Sequence, residues 1–353
     1  MLKIGIIGCG KITEVRHAPE YDENPNCEIA GFYDFFPEKA QAMADKYGGR
    51  AYDSMEALLE SDVDAVSVCV ANDSHAAASI AALKAGKHVL CEKPMAVKLE
   101  DCVAMVKTAE EAGKILMIGQ NQRFAKAHVA ARKMIEEGKL GRILAFHTTF
   151  GHPGPEGWTG QKNSWFFDKK RAAFGALADL GVHKTDLMHY LLGERITRVS
   201  ANFTTLDKKF PDGSPISVDD NAMCIYTTES GAVGTMHVSW TFYGQEDNST
   251  RLYGTEGILR IYDDPVYSLI FEKRDGEIER IALDQMTSNK EQTSGGRTST
   301  GVIDAFVDSV IAGKRPPIDG AEALKAMRVI FAAEKSAIEG RAMTVDYEDR
   351  EEK

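Results

Sequence analysis

The run Lys3-Ile4-Gly5-Ile6-Ile7-Gly8-Cys9-Gly10 decides how this chain is read. Three isoleucines around a glycine make a short β-type segment, and Gly8-x-Gly10 follows with no spacer. The first glycine permits a tight turn, and the second lets backbone approach a pyrophosphate at a helix N-terminus. Lys11 and Ile12, next in the chain, are further candidates for contacts to that pyrophosphate's carrier. The third fingerprint position holds Thr13 rather than Gly or Ala, and a bare Gly-x-Gly is weak evidence. Its context strengthens it. Cys27–Tyr33 reads as a second strand, and Asp34 closes it twenty-four residues after Gly10. That is near the spacing expected for a carboxylate on the adenosine ribose hydroxyls. Phe35 and Phe36 follow, with no adjacent Arg or Lys to receive a 2′-phosphate, so NAD is expected over NADP.

Cys91-Glu92-Lys93-Pro94 carries the next signal. It follows His88-Val89-Leu90, an apolar run of buried-strand type. Strand ends of an open parallel sheet form the crevice where ligands sit. A lysine there, with proline fixing the chain after it, is an ammonium aimed at a bound ligand. An isolated lysine would ordinarily be a surface loop residue.

With 353 residues and 43% hydrophobic content, the chain can bury two cores without staples. The net charge of −11 argues against nucleic-acid or anionic-membrane partners. Six scattered cysteines without Cys-x-x-Cys fit reduced, buried thiols in a cytoplasmic protein. Met1-Leu2-Lys3 leads straight into a strand, without a signal-peptide pattern, and no apolar run approaches a membrane span.

Up to residue 122, strand and helix alternate. Helices are expected at Pro37–Tyr47, His75–Ala85 and Leu99–Ala112, with Asp53 and Glu56 capping a short one; strands are expected at Ala65–Val70 and Ile115–Ile118. This rhythm implies an α/β Rossmann domain with a doubly wound parallel sheet, residues 1–122. The rhythm then changes. Helices at Ala125–Glu137 and Ala176–Leu192 frame a strand at Arg142–Phe150 and a Gly/Pro-rich loop at Gly151–Gly160. Strands at hairpin spacing follow from Arg198 to Leu283, then a polar loop at Asp284–Thr300 and two helices, Val302–Ala312 and Ala321–Glu339, the latter capped by Asp319 and Glu322. Residues 123–353 read as an α+β substrate-binding and oligomerisation domain with a large, mostly antiparallel open sheet, suited to a homodimer or homotetramer.

On helix 176–192, Asp179, His183, Asp186 and Tyr190 are spaced by four, three and four, and so share one face. The ordinary reading is a solvated Asp/His pair. No His-Glu-x-x-His or cysteine cluster supports a metal. Trp158, Trp165 and Trp240 could stack on a sugar ring, with core packing the commoner role for Trp240.

Gly8-x-Gly10, Asn72-x-x-His75, Glu92-Lys93-Pro94, Asn121-x-Arg123-Phe124 and Asp179-x-Gly181-x-His183 together resemble the glucose–fructose oxidoreductase, inositol dehydrogenase and rhizopine-catabolism family of NAD(P)-dependent oxidoreductases. The resemblance spans nearly the whole chain, in order. It implies that Lys93, Asp179 and His183 act on the substrate; Arg123 and Trp165 are further candidate substrate contacts. It also implies cofactor contacts at Gly8, Gly10, Asp34, Asn72, His75, Glu92, Lys93 and Asn121. Three departures stand out: Thr13 for the third glycine, Val70-Ala71 before Asn72 in place of Thr-Pro, and Ala173-Phe174-Gly175 where three glycines are common.

The resulting expectation is an NAD-dependent dehydrogenase or reductase acting on a secondary alcohol of a sugar, inositol or related polyol. His183 would serve as base and Lys93 would stabilise alkoxide charge. Two alternatives are an NAD-assisted glycosidase or eliminase, and a non-catalytic NAD-binding regulatory subunit.

Overall fold

The structure is a computed structural model that describes residues 1–160, 164–285 and 300–348. The chain divides into two compact units, Met1–Gln120 with Asn289–Leu324, and Asn121–Ser288 with Lys325–Lys353. No helix among the described residues is long and apolar enough to cross a membrane.

The first unit is built on six parallel strands: β1 (Leu2–Ile7), β2 (Cys27–Tyr33), β3 (Arg50–Ala51), β4 (Ala65–Val68), β5 (His88–Cys91) and β6 (Leu116–Ile118). Their order is β3-β2-β1-β4-β5-β6. The sequence order reverses between β1 and β4, so the carboxyl ends of those strands flank a topological switch point. β4 and most of β1 are buried, as strands covered on both faces must be. Helices α1 (Ala18–Glu23), α2 (Pro37–Tyr47), α3 (Met55–Glu60), α4 (His75–Lys84) and α5 (Leu99–Ala112) alternate with the strands. Proline opens α2 and Gly48 closes it, the usual asymmetry. Ser54, not Asp53, caps α3, accepting from the Ala57 N–H at 3.1 Å. Helix α10 (Val302–Ala312) also belongs to this unit, tied to it by Asn24 on Asp304 at 2.7 Å.

The second unit contains β7 (Ile143–Gly151), β8 (Ile196–Thr204), β9 (Asn221–Thr228), β10 (Val233–Ser239), β11 (Thr250–Gly254), β12 (Gly257–Ile261), β13 (Leu269–Lys273), β14 (Ile278–Ile281) and β15 (Met343–Thr344). They form one sheet in the order β14-β13-β12-β11-β7-β10-β9-β8-β15. It is antiparallel except at β7–β10, where Val233 pairs with Ala145 and Ser239 with Gly151 in parallel register. On β9 the alternation is clean: Ala222, Cys224 and Tyr226 point inward while Met223 and Ile225 are exposed. Helices α6 (Lys126–Glu136) and α9 (Val182–Leu192) are in this unit, and every residue of α9 but Tyr190 and Leu192 is buried. The Gly/Pro-rich stretch after β7 contains a short helix, α7 (Pro155–Thr159), and α8 (Lys169–Ala172) follows. Helix α11 (Gly320–Glu339) opens on Asp319, which accepts from the Glu322 N–H at 2.8 Å. Most of the polar loop expected over 284–300 lies outside the described residues.

The segment before α9 is tightly specified. Asp219 accepts from the N–H groups of Gly175 and Leu177 at 2.7 and 2.8 Å. A Cβ on Gly175 would lie 1.8 Å from the Asp219 carbonyl oxygen. Ala173 sits at φ 66, ψ −57, a γ-turn conformation rare for a residue with a Cβ. Ala173→Gly should therefore raise stability by about 1 kcal/mol, strain relief outweighing the added freedom of the unfolded chain. Gly175→Ala should lower it by about 3 kcal/mol or more, because backbone cannot give way as a side chain can. Urea unfolding midpoints measure both; a lower midpoint for Ala173→Gly would show the γ-turn is not strained.

Candidate functional site

In the first unit the site begins where β1 ends. Gly8 adopts φ 97, and a Cβ there would lie 2.6 Å from the Cys69 carbonyl. Its N–H donates to the Tyr33 carbonyl at 2.7 Å. Gly10 differs: a Cβ would meet no protein atom within 4 Å. One glycine is required by the fold, and the other leaves backbone open toward a ligand. Asp34 holds the turn, its Oδ2 accepting from the Cys9 N–H at 2.7 Å and its Oδ1 from the Phe36 N–H at 2.8 Å. Thr13 is fully buried and donates to the Gly8 carbonyl at 2.6 Å, so the residue that departs from the glycine pattern braces the turn. Lys11 pairs with Glu14 at the surface, 3.4 Å apart, and Ile12 immediately precedes a π-helical turn over Thr13–His17.

That π turn aims two buried side chains at Glu92. His17 Nε2 lies 2.9 Å and Arg16 3.6 Å from Glu92 Oε1, while Oε2 accepts from the Lys93 N–H at 3.1 Å. Burial alone would raise the Glu92 carboxyl, but the His17 hydrogen bond and the charges of His17, Arg16 and Lys93 hold it well below the usual carboxylate range. Burial opposes charge on His17, yet Cys69 and Glu92 outweigh it and raise the imidazole. His17 Nδ1 continues to Ser67 at 3.0 Å, and Ser67 to the Tyr21 hydroxyl at 2.8 Å. Lys93 is half-buried at the end of β5, joined to Pro94 by a cis peptide. His75 presents its two ring nitrogens to the Pro94 and Val70 carbonyls, at 2.7 and 3.1 Å, and so clamps the lysine–proline turn. Asn72 is buried at the start of a 3₁₀ turn over Asn72–Ser74. The Gln120 amide oxygen, beyond β6, is buried without a hydrogen-bond partner.

In the second unit, Asp179 lies within another π-helical turn, Leu177–Gly181, that runs into α9. Its Oδ2 accepts from Trp240 Nε1 at 3.1 Å, and His152 Nε2 stands 3.8 Å from the same oxygen. His183 is 7% exposed, with Phe150 packed on its ring at 6.3 Å between centroids. Asp186 and Tyr190 are employed differently: Asp186 takes a bidentate pair of bonds from Arg123 at 2.7 and 2.6 Å, and the Tyr190 ring lies 5.5 Å from the same guanidinium. Arg123 follows Asn121 in a 3₁₀ turn over Asn121–Phe124. Trp165 stacks on Phe166 at 4.0 Å.

Sequence reasoning missed Arg16, His17, His152, Lys184 and Asp219. His152 directly follows the strand, and Asp219-Asp220 directly precedes one, positions where a polar residue is unremarkable by pattern. Lys184 beside His183 is wholly buried, its Nζ donating to the carbonyls of Asn248 and Ser249 at 3.0 and 3.4 Å. Burial pushes this amine down to about 7.

A nucleotide-binding turn on a doubly wound sheet, followed by a unit whose buried helix carries Asp and His one turn apart, defines the class of nicotinamide-dependent oxidoreductases. Residues 2–120 match the oxidoreductase family with an NAD-binding Rossmann fold, and residues 128–260 match the GFO/IDH/MocA C-terminal domain. The chain belongs to this GFO/IDH/MocA family. It is 29% identical over 328 residues to 1,5-anhydro-D-fructose reductase of Ensifer adhaerens, covering 90% of this chain and 91% of that protein. It is 26% identical over 354 residues to myo-inositol 2-dehydrogenase of Thermotoga maritima, covering 98% and 99%. The solved structure of an oxidoreductase domain protein from Kribbella flavida superposes with a TM-score of 0.83 at 27% identity, covering 98% and 99%. The first unit's residues fit the NAD of the family: open backbone at Gly10, a half-buried Asp34 beside it, and a buried amide oxygen at Gln120.

Lys184 yields a signed expectation. In the unfolded chain its amine titrates near 10.5 and in the fold near 7. Below the lower value both states are charged. Between the two, the unfolded state binds the extra proton, so this lysine's contribution to stability becomes more favourable as pH rises. Wild type should therefore gain stability relative to Lys184→Met between pH 7 and 10 in thermal melts. A difference that stays flat across that window would show that the buried amine remains charged.

Proposed function

We propose that this protein interconverts a secondary alcohol and a ketone on a sugar, inositol or related polyol, with NAD as hydride carrier. The observation that carries the proposal is the Asp179–His183 pair at the start of a buried helix, with Asp179 met by the Trp240 N–H. A solvated Asp/His pair would have no such setting. The relatives support the substrate class, since one is named a reductase of an anhydro sugar and another a dehydrogenase of inositol.

Bound NAD supplies the hydride acceptor. The remaining chemistry falls to side chains of this chain. His183 Nδ1 is buried, which leaves Nε2 as the atom to take the hydroxyl proton. An imidazole suits this because its ordinary pKa is near the working pH. Asp179 orients that ring or receives a neighbouring hydroxyl. Lys93 donates to the reacting oxygen as negative charge develops on it; Glu92 accepts its backbone N–H, and His75 holds the carbonyl of the following Pro94. NAD is preferred over NADP because the Asp34 carboxylate, already taking two backbone N–H groups, would face a 2′-phosphate with like charge. Exposed Met223 and Ile225 on β9 support a homodimer or homotetramer through the outer sheet face. Six free, buried thiols support a cytoplasmic setting.

A panel of sugars and inositols with NAD and NADP, followed by NADH absorbance, tests the reading. The expected result is turnover with at least one polyol and a higher kcat/KM with NAD. Better kcat/KM with NADP would overturn the cofactor preference, and Asp34→Ser should narrow the gap.

Oxidation should speed up with rising pH through an ionisation at roughly 6–8. His183→Ala should remove that limb and lower kcat. Lys93→Ala should cost about two to three factors of ten in kcat with NAD binding retained. An unchanged pH profile in folded His183→Ala excludes it as the base, and near-native turnover in Lys93→Ala places that residue outside the chemistry.

A further inference from the structure

His152 is the first residue after β7, and it is 3% exposed. The Gly154 N–H donates to its Nδ1 at 2.9 Å. A ring nitrogen that accepts carries no proton, so the hydrogen of the neutral imidazole resides on Nε2. Gly154 makes this lock possible: its φ is 108, and a Cβ there would lie 2.4 Å from Glu156 Oε2. Nε2–H then faces Asp179 Oδ2 at 3.8 Å, the oxygen that already receives the Trp240 N–H at 3.1 Å. The longer distance is a dipole contact rather than a bond. Phe150 stands between the two histidines, its ring centroid 5.8 Å from His152 and 6.3 Å from His183. Other charged groups nearby are Lys208 and Glu156, which pair with each other, Lys208 also bonding the Pro153 carbonyl.

We infer that His152 is a positioning residue for Asp179: with Trp240 it forms a pair of ring N–H donors that fixes the carboxylate from the sheet side, while His183 handles the proton. The inference rests on the reading of Asp179 and His183 as the working pair. The π turn presents Asp179 to two donors on the residues that directly follow β7 and β10, so the carboxylate is oriented before any substrate arrives. Preorganisation of this kind removes a rearrangement from the reaction.

Two measurements test it. The first needs no substrate: ¹⁵N NMR of the histidine rings in wild type and Asp179→Asn. The expected result is the Nε2–H tautomer for His152, with a titration midpoint that falls when the carboxylate charge is removed. An Nδ1–H tautomer in wild type, or a midpoint unmoved by Asp179→Asn, overturns the inference.

The second compares His152→Leu with His152→Gln, whose amide nitrogen can take the place of Nε2. His152→Leu should lower kcat/KM roughly 10- to 100-fold and move the His183 limb of the pH profile upward, because a carboxylate that loses a donor holds a neighbouring imidazolium proton more tightly. His152→Gln should restore most of the rate and the limb. Equal losses in both variants, or a native profile in His152→Leu, overturn it. If wild type turns over no polyol while the NMR result holds, the proposed function falls and the His152–Asp179 coupling stands. Turnover with a failed NMR result reverses that outcome.

Discussion

The buried carboxylate of Glu92 joins two stretches of chain that are far apart in sequence. His17 Nε2 meets it at 2.9 Å and the Lys93 N–H at 3.1 Å, with Arg16 at 3.6 Å. A buried carboxylate without partners would cost several kcal/mol, and removing one partner leaves the other charge stranded. The turn after β1 and the turn after β5 are therefore held in one arrangement or not at all. Both lie at the carboxyl ends of strands in the same parallel sheet. Asp219 plays the equivalent part in the second unit, gathering the N–H groups of Gly175 and Leu177 and so setting where the helix bearing Asp179 and His183 begins. In each unit, buried charge dictates the placement of the loop that carries chemistry.

Much of this was legible in the chain. The glycine turn, the parallel βα alternation and the antiparallel half follow from local pattern, because periodicity reports which side of an element is buried. The spacing of Asp179 and His183 did place them one turn apart. It also grouped Asp186 and Tyr190 with them, and the structure gives those two to Arg123. Spacing reports a face, not what stands opposite that face. The two π turns were illegible for a related reason: widening a turn leaves a run of apolar and polar residues unaltered as a pattern. Asp53 and Ser54 are both good capping residues, and only geometry chooses Ser54.

The departures from the family pattern turn out to be local exchanges. Thr13 gives up a glycine's freedom and gains a hydroxyl that closes on the Gly8 carbonyl. Ala173 accepts an unfavourable backbone conformation beside a glycine that cannot be replaced. Val70 offers its carbonyl to His75. Only Val70 meets an imidazole, and it does so through a backbone carbonyl that any residue there would supply.

All six cysteines are buried free thiols. Burial pushes Cys27 up to about 11 and Cys224 up to about 12, and raises Cys9, Cys91 and Cys102 further. Alkylating reagents attack thiolates, so these five sulfurs stay silent until their surroundings open, and Cys69 is shielded by its burial. Cys9, Cys27, Cys69, Cys91 and Cys102 lie in the first unit, and Cys224 alone in the second. The chain thus carries its own asymmetric tally of unfolding. A brief alkylation pulse read by mass distinguishes one unit's opening from the other's by the number of adducts, with no reporter engineered into either.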